Sequence, residues 1–428
     1  MNRRLLFAVA FTLLFAVCVI IWFFVYATPR TETTLGKPVD PFAIKELPKK
    51  FQFLKSEGEI PVSTSTTEMT FAKPEILTQI WNRPTTGQTF IEKSIVQEIQ
   101  ATTTKGTTTI SIKKLIQATS TTLMFVDRIT GYIYGYNRES TKIYQISNST
   151  IPGIYDAYIF NNGKQILFRY EDTDTNTIVT ELATIPSVGE KEEPKSLENR
   201  KFLPEGVTSI ALNSKKTLAS YLVTSNEGSS IYTIRPSTTD FIASSPHTSW
   251  KLSYSGDALF ATTKPSAYVE GYTVKIPSFE FIIGNKTGLE SNPSEKGTFI
   301  SSMWSNTGLK TFLSLNGNQK VLDIKTLSSK CAWGQKEFLV CAVPKTLTKS
   351  VEGLPDDWFQ GRFFFDDSFV TVDTITGEIL PLYTFDTTEK GIFDVINISL
   401  SKDNSMVTFL RKQDYTLWLL DTNLFNAE

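Results

Sequence analysis

The stretch that decides the fold spans residues 154–170 and reads IYDAYIFNNGKQILFRY. Two runs rich in β-branched and aromatic residues flank the polar segment NNGK at 161–164, which is typical of a β-hairpin with a tight turn. The same order of apolar strand, polar turn and apolar strand returns five more times. The first strands of the six hairpins end at positions 160, 212, 252, 304, 333 and 400, so that the mean step is about 48 residues.

A period of about 40–50 residues with roughly four strands in each unit is typical of a β-propeller. One unit alone would leave an apolar sheet half exposed, whereas radial stacking of units buries both faces and leaves no long open edge. The second strands are expected near seven positions, which predicts an all-β propeller of about seven four-stranded blades: Phe125, Leu167, Ala219, Phe260, Phe312, Leu339 and Thr408. The alternatives are an eighth blade built from residues 76–114 and a pair of β-sandwich domains.

An uncharged apolar run precedes the repeat at residues 5–26 and reads LLFAVAFTLLFAVCVIIWFFVY. As a helix it would span roughly 33 Å, enough for a bilayer core of about 30 Å. This predicts an N-terminal signal anchor at residues 1–27, with a cleaved signal peptide and a buried core helix as alternatives. Arg3 and Arg4 favour a cytoplasmic N-terminus. The protein would then cross the cell membrane once, with the propeller in the periplasm or outside the cell.

Residues 28–72 are rich in threonine, proline and charge, and lack a sustained apolar period. Such a composition cannot bury enough apolar surface to offset the entropy lost on ordering. We therefore predict an extended tether here and a propeller over residues 73–428, with a clear repeat from about residue 121. Threonine-rich patches at 102–104 and 107–109 have the composition of the same spacer.

The overall composition excludes several classes of function. Forty-three basic residues against 44 acidic ones leave a net charge of −1, without the basic excess that nucleic-acid binding requires. His247 is the single histidine, which rules out multi-histidine metal sites. Asp172, Asp174 and Asn176 have the spacing of a calcium loop, but the glycine and the bidentate glutamate that complete such a loop are absent. We predict no metal, no cofactor and no nucleic-acid partner.

Two of the three cysteines flank a predicted turn centred on Lys336. Cys331 and Cys341 would then lie directly opposite each other on antiparallel strands, with Trp333 opposite Leu339. That spacing suits a disulfide, and a disulfide would indicate an oxidising, extracytoplasmic location. The alternative is two buried free cysteines.

Three short segments resemble degenerate copies of the Trp-Ser-Pro-Asp-Gly repeat of TolB-like (WD40-like, PD40) propellers. They are LSYSGD at 252–257, WSNTG at 304–308 and LSKDNS at 400–405, and none of them has the proline. The stretch 330–344 and the LPDDW sequence at 354–358 are also similar to uncharacterised membrane-anchored bacterial propeller proteins. The resemblance implies a binding scaffold and assigns no reaction.

One insertion, residues 344–362, explains why the hairpin steps are uneven. Long insertions at a propeller end often display binding residues, and this one contains the sequence LPDDWFQGR at 354–362. Acidic, aromatic and arginine side chains together are typical of protein-interface hot spots. The predicted partner-binding residues are Asp356, Asp357, Trp358, Phe359 and Arg362. The alternative is a self-packed loop that plugs one end of the central channel.

These observations predict a membrane-anchored, extracytoplasmic propeller that binds a protein or a cell-envelope ligand and has no catalytic activity. The alternative from another class is a propeller hydrolase or lyase that acts on glycans or peptides. Its carboxylates would lie at the channel mouth: Asp356, Asp357, Asp366 and Asp367. A third interpretation is an envelope spacer without a specific ligand.

Overall fold

The computed structural model describes residues 76–105, 108–173, 175–235, 238–305, 308–347 and 353–425. These residues form seven antiparallel four-stranded sheets. The predicted membrane helix at 5–26 and the predicted tether at 28–72 lie outside the described residues. Within the described residues, no helix is both long enough and apolar enough to cross a membrane.

The strands are numbered in chain order and grouped by blade. The first blade contains β2 (Thr85–Lys105), β3 (Thr108–Asp127), β4 (Ile133–Asn137) and β5 (Lys142–Gln145). The second contains β6 (Ile154–Phe160), β7 (Gln165–Asp172), β8 (Thr177–Thr184) and β9 (Glu198–Phe202). The third contains β10 (Val207–Leu212), β11 (Ala219–Ser225), β12 (Gly228–Ile234) and β13 (Thr239–Ser245). The fourth contains β14 (Trp250–Ser255), β15 (Ala258–Thr263), β16 (Glu270–Ile276) and β17 (Glu280–Thr287).

The remaining three blades follow the same order. The fifth contains β18 (Glu290–Pro293), β19 (Phe299–Ser305), β20 (Gly308–Leu315) and β21 (Asn318–Val321). The sixth contains β22 (Cys331–Trp333), β23 (Phe338–Pro344), β24 (Asp367–Asp373) and β25 (Ile379–Thr384). The seventh contains β26 (Val395–Leu400), β27 (Met406–Arg411), β28 (Leu417–Asp421) and β1 (Leu77–Trp81). Short helices lie at Asp356–Phe359 and Thr387–Lys390, and 3-10 turns at Ser328–Lys330, Gln335–Glu337 and Thr422–Phe425.

Strand β1 closes the ring. It pairs antiparallel with β28, with Leu77 opposite Leu420 and Gln79 opposite Trp418. The seventh blade therefore takes its outer strand from the start of the described chain and its other three strands from the end. The predicted seven-bladed propeller is confirmed, while the eighth blade and the β-sandwich pair are wrong, because β1 completes the seventh blade instead of beginning another sheet.

The core consists of apolar side chains packed between neighbouring blades. Around the sixth and seventh blades it is built from aromatic rings, all buried: Phe369, Phe385, Phe393, Phe409 and Trp418. Phe385 and Phe393 stack with their ring centroids 4.3 Å apart. Burial of one such side chain stabilises the fold by about 1.5–3 kcal/mol, so the packing between these two blades is strongly stabilising.

The predicted strand order was wrong in the fifth blade. Phe312 lies in the third strand, β20, and not in the second, because the short first strand β18 reads ESNP and lacks an apolar run. With β18 included, the first strands of the second to seventh blades end at 160, 212, 255, 293, 333 and 400. Only the last of the five intervals, from 333 to 400, is long, and it contains the insertion between β23 and β24.

A long hairpin extends from the first blade. Strands β2 and β3 pair continuously out to Lys105 and Thr108, whereas β4 pairs with β3 only along residues 122–126. The threonine-rich patch at 102–104 and the residues 108–109 lie in this ribbon, so their prediction as an extended spacer was wrong. Threonine is β-branched and favours paired strands.

Candidate functional site

The ring has two faces that carry different loops. In an antiparallel meander, the second-to-third strand loops and the segments that enter each first strand lie at one face, which we call the upper face. The first-to-second and third-to-fourth strand turns lie at the opposite, lower face. The insertion connects β23 to β24 and therefore lies at the upper face.

Two of the five predicted binding residues hold the insertion in place, and one of them is buried. Trp358 is 4% exposed and packs in an apolar cluster with Leu309, Leu327, Leu354 and Phe365. Its Nε1 donates a hydrogen bond of 2.8 Å to Oδ2 of Asp394. Such a position fixes the insertion to the upper face, and Trp358 is not available to a partner.

Asp356 ties the insertion to a distant blade. Its Oδ2 accepts a hydrogen bond from the backbone N of Ala267, which lies in the loop between β15 and β16 of the fourth blade. The ring of Pro355 lies close to Gly288, at the start of the fifth blade. The insertion therefore crosses the fifth blade from the sixth to the fourth, and Asp356 has a structural role.

The remaining predicted residues face solvent. Phe359 is 48% exposed, and Arg362 forms an ion pair of 3.6 Å with Asp357 in which its side chain is 72% exposed. Beside them lie Tyr268 and Val269, which are 81% and 65% exposed. Gly353 lies close both to a carboxylate oxygen of Asp357 and to the hydroxyl of Tyr268. We call this surface the upper patch: Tyr268, Val269, Asp357, Phe359 and Arg362.

A buried charged network supports the upper patch from below. Lys330, Asp367 and Asp394 are completely buried. The Nζ of Lys330 lies 2.8 Å from Oδ2 of Asp367, pairs with Oδ1 of Asp394 and donates to the backbone O of Val395 at 2.9 Å. The network thus links the segment that enters the sixth blade to the segment that enters the seventh.

The same network holds the C-terminal part of the insertion and the residues that follow it. Asp394 accepts hydrogen bonds from Trp358 Nε1 and, at 3.2 Å, from the backbone N of Phe365. The Lys330 ammonium lies 5.1 Å from the centroid of the Trp358 ring and 4.8 Å from that of Phe365, within cation–π distance. These contacts attach the insertion to the segment that enters the seventh blade.

Burial perturbs two titratable groups at this base. It raises the pKa of Asp367 from its ordinary 3.8 to about 6, against the opposing attraction of Lys330. Among the described residues, no donor reaches the second oxygen of Asp367, Oδ1. Burial also lowers the pKa of Lys412 to about 8, and this amine lies 4.1 Å from the centroid of the Trp358 ring.

The four carboxylates that the catalytic alternative requires have separate partners. Asp356 accepts from Ala267, Asp357 pairs with Arg362 and Asp366 pairs with Lys345 at 3.2 Å. Asp367 is completely buried against Lys330. They therefore do not form an open pair of acid and base, which would require two accessible carboxylates on either side of a substrate.

The two cysteines occupy the positions that the turn geometry predicts. Cys331 and Cys341 are register partners, as are Trp333 and Leu339. The Cα atoms of the cysteines are 4.0 Å apart and their sulfur atoms are joined in a disulfide. The bond lies directly after Lys330 and secures the start of the sixth blade.

Sequence reasoning missed the side chains that come to the upper patch and its buried base from other loops. Tyr268 and Val269 lie in the segment PSAYVEG at 265–271, which contains no motif and gave no signal. Lys330 and Asp394 are 64 residues apart in the chain, and only the fold brings them together. The one available signal for Lys330 was its place in the KCAW sequence at 330–333.

No family model matches the chain, and no curated protein matches it. Among solved structures, the β-propeller domain of Cps50 (Swd1) from Myceliophteria thermophila is 9% identical, with 70% of this chain and 93% of that chain covered and a TM-score of 0.41. The β-propeller domain of the Trilobed protease from Pyrococcus furiosus is 12% identical, with 71% and 91% covered and a TM-score of 0.44. An oligogalacturonate lyase from Vibrio parahaemolyticus is 10% identical, with 79% and 98% covered and a TM-score of 0.45. At these values the similarities carry no argument about activity or ligand.

Proposed function

We propose that this protein is a membrane-anchored, extracytoplasmic propeller of the TolB-like type that binds a partner protein at the upper patch and does not catalyse a reaction. The observation that carries the proposal is the group of exposed Tyr268, Val269 and Phe359 beside the Asp357–Arg362 ion pair. Aromatic and arginine side chains dominate binding energy at protein interfaces. Exposed apolar groups rimmed by charge mark such interfaces on soluble surfaces.

The buried network supports this proposal because it preorganises the patch. An interface that is rigid before binding loses less conformational entropy on association. Lys330 and Asp394 are buried beneath the insertion, and Trp358 hydrogen bonds to that network. Phe359 follows Trp358 directly, so its ring is presented from a fixed base.

The disulfide supports the proposed location. Disulfides persist in oxidising compartments and are rare in the cytosol. Protease treatment of intact cells, or of spheroplasts where an outer membrane is present, is expected to degrade the propeller while a cytoplasmic marker survives. A propeller that resists the protease until the cell membrane is lysed would place it in the cytoplasm and contradict the proposal.

Site-specific photo-crosslinking in living cells tests the partner site. A photoreactive amino acid in place of Phe359 is expected to give one dominant adduct with a protein. The same replacement at Phe241 is the matched control, because this ring is also exposed but lies on β13, away from the insertion.

The adduct must also depend on the rest of the patch. Tyr268→Ala together with Arg362→Ser is expected to abolish the adduct at position 359, because both side chains belong to the proposed interface. An equal adduct at position 241, or one that is unchanged in the double variant, would rule out the upper patch as the binding site.

A further inference from the structure

A two-stranded ribbon projects beyond the lower face of the ring. Strands β2 and β3 stay paired out to Lys105 and Thr108, whereas β4 pairs with β3 only along residues 122–126. We call residues 92–105 and 108–121 the ribbon. At about 3.3 Å per residue it is up to about 46 Å long. Within the described residues, no third strand pairs with it.

Contacts with two other blades place the base of the ribbon at the lower face. Glu92 forms an ion pair of 3.0 Å with Lys402, which lies in the β26–β27 turn of the seventh blade. Lys216, in the β10–β11 turn of the third blade, donates a hydrogen bond from Nζ to Oγ1 of Thr89. Both are first-to-second strand turns, so β2 leaves the ring at this face.

The two faces of the ribbon differ in polarity. Directly opposed residues of an antiparallel pair share a face, and successive residues of a strand alternate between faces. Of the eight central positions on one face, only Val96 and Leu115 are apolar. Seven of the ten central positions on the other face are isoleucine or alanine. The isoleucines of this face are Ile95, Ile99, Ile110, Ile112 and Ile116.

The isoleucine face requires a covering surface, and a second copy of the chain is too small a partner for it. A lone two-stranded ribbon is only marginally stable in water unless another layer packs on it. The apolar part of the face is about 30 Å long and 10 Å wide, which is roughly 300 Å². A stable interface between proteins buries about 800 Å² on each partner.

The entry of the chain into the propeller favours a membrane as the covering surface. Strand β1 is antiparallel to β28, so the fourth strand of the seventh blade begins at the lower face, at Leu77. Residues 28–75 separate this point from the predicted signal anchor. A random coil of that many residues has a root-mean-square length of roughly 35–42 Å, which is close to the length of the ribbon.

The charge of the ribbon suits an anionic membrane. Four lysines, at positions 93, 105, 113 and 114, stand against two glutamates, at 92 and 98. Glu92 already pairs with Lys402. Amphipathic segments bind a bilayer surface through their buried apolar area and through the attraction of basic residues to anionic lipids.

We propose that the ribbon lies on the extracytoplasmic surface of the cell membrane, with its isoleucine face against the lipid and its lysines near anionic phospholipid headgroups. This inference rests on the membrane anchor of the proposed function. It holds the lower face toward the membrane and leaves the upper patch directed away from it, toward a partner.

Fluorescence quenching in reconstituted vesicles tests this inference. The full-length protein with Cys18→Ser carries an environment-sensitive fluorophore at Ile112→Cys, in vesicles of phosphatidylcholine and phosphatidylglycerol whose acyl chains carry a nitroxide quencher. Ser111→Cys is the matched control, because its register partner Thr102 places it on the opposite face. The label at 112 is expected to be quenched at least about threefold more strongly than the label at 111. Ile110→Cys is expected to behave like Ile112→Cys.

Lysine variants test the role of charge. Lys113→Gln together with Lys114→Gln is expected to lower the ratio of membrane-bound to free ribbon about 25-fold, which is about fivefold for each lysine. The ratio is measured from the two lifetimes of the label at 112. Lys264→Gln is the control and should leave the ratio unchanged, because this exposed lysine lies between β15 and β16 at the upper face.

Flotation of the same vesicles separates the ribbon from the anchor. A protein that floats with the vesicles, with equal quenching at 111 and 112, would overturn the ribbon inference and leave the anchor standing. A protein that does not float would contradict both. A label at 112 that loses contact with water as the protein density rises, without quenching by lipid, would identify a second copy as the occupant and would also overturn the inference.

Discussion

Asp367→Asn is expected to stabilise the protein at neutral pH, although Asp367 belongs to a buried ion pair. Its pKa rises from 3.8 to about 6 on folding. The folded-state pKa is the higher of the two, so the ionised carboxylate destabilises the fold above pH 6, and this effect disappears as the pH falls below about 4. The difference corresponds to about 3 kcal/mol, at about 1.4 kcal/mol per pKa unit.

The hydrogen bonds around Asp367 make asparagine acceptable at this position. Lys330 Nζ and the backbone N of Val395 both donate to Oδ2, and the asparagine carbonyl can keep both bonds. The amide nitrogen would replace Oδ1, which no donor among the described residues reaches. Lys330 also retains its pairing with Asp394, so no buried charge is left alone.

Urea denaturation followed by tryptophan fluorescence measures this effect on the full-length protein. Asp367→Asn is expected to raise the free energy of unfolding at pH 7.5, and to do so by about 2 kcal/mol more than at pH 4.5, because the folded carboxylate is already protonated at the lower pH.

Asp394→Asn is the matched comparison for this prediction. Both oxygens of Asp394 accept hydrogen bonds, from Lys330 on one side and from Trp358 and Phe365 on the other. An amide nitrogen would therefore face a donor, and we expect a loss of about 3–5 kcal/mol at both pH values. If Asp367→Asn destabilises the protein as much as Asp394→Asn does, the two carboxylates do not have the different roles that we assign to them.

Three further predictions concern stability and are measured by the same denaturation. Trp358→Phe is expected to lower the free energy of unfolding by about 1–2 kcal/mol, because it leaves an oxygen of Asp394 without the indole donor. Phe359→Leu should change it by less than about 0.5 kcal/mol. Equal losses in the two variants would contradict the burial of Trp358 and the exposure of Phe359. Leu77→Ala is expected to cost about 2–4 kcal/mol because Leu77 is buried where β1 closes the ring, and a loss below 1 kcal/mol would count against that closure. The double variant Cys331→Ala/Cys341→Ala is expected to lose about 2–3 kcal/mol, and mass mapping that finds both thiols free in the native protein would remove the disulfide.

The repeat made the architecture predictable, because apolar alternation and turn residues are local signals. The prediction was wrong where a strand lacks that signal. Strand β18 contains Glu290 and Pro293, and Glu290 is buried through contacts with Lys251 and the backbone N of Ser329. Such a strand forms because of its tertiary contacts and has no local apolar pattern. The local pattern therefore assigned the second and third strands of the fifth blade as its first and second strands.

The candidate site was predictable only in part. Composition singled out the insertion, but it could not separate Trp358, whose N–H finds a buried acceptor, from Phe359, which has no polar group and lies at the surface. Tyr268 reaches the site from the fourth blade through the contact between Ala267 and Asp356. A contact between residues 89 positions apart has no local signature, so Tyr268 could not be predicted.

We propose that a partner binds on the upper patch. Amide hydrogen exchange of the full-length protein, with and without the partner identified by crosslinking, tests where that partner binds. Binding is expected to protect residues 266–269 and 353–362 and to leave the lower-face turn at 401–405 unchanged. Protection that is absent from both upper segments would contradict the claim.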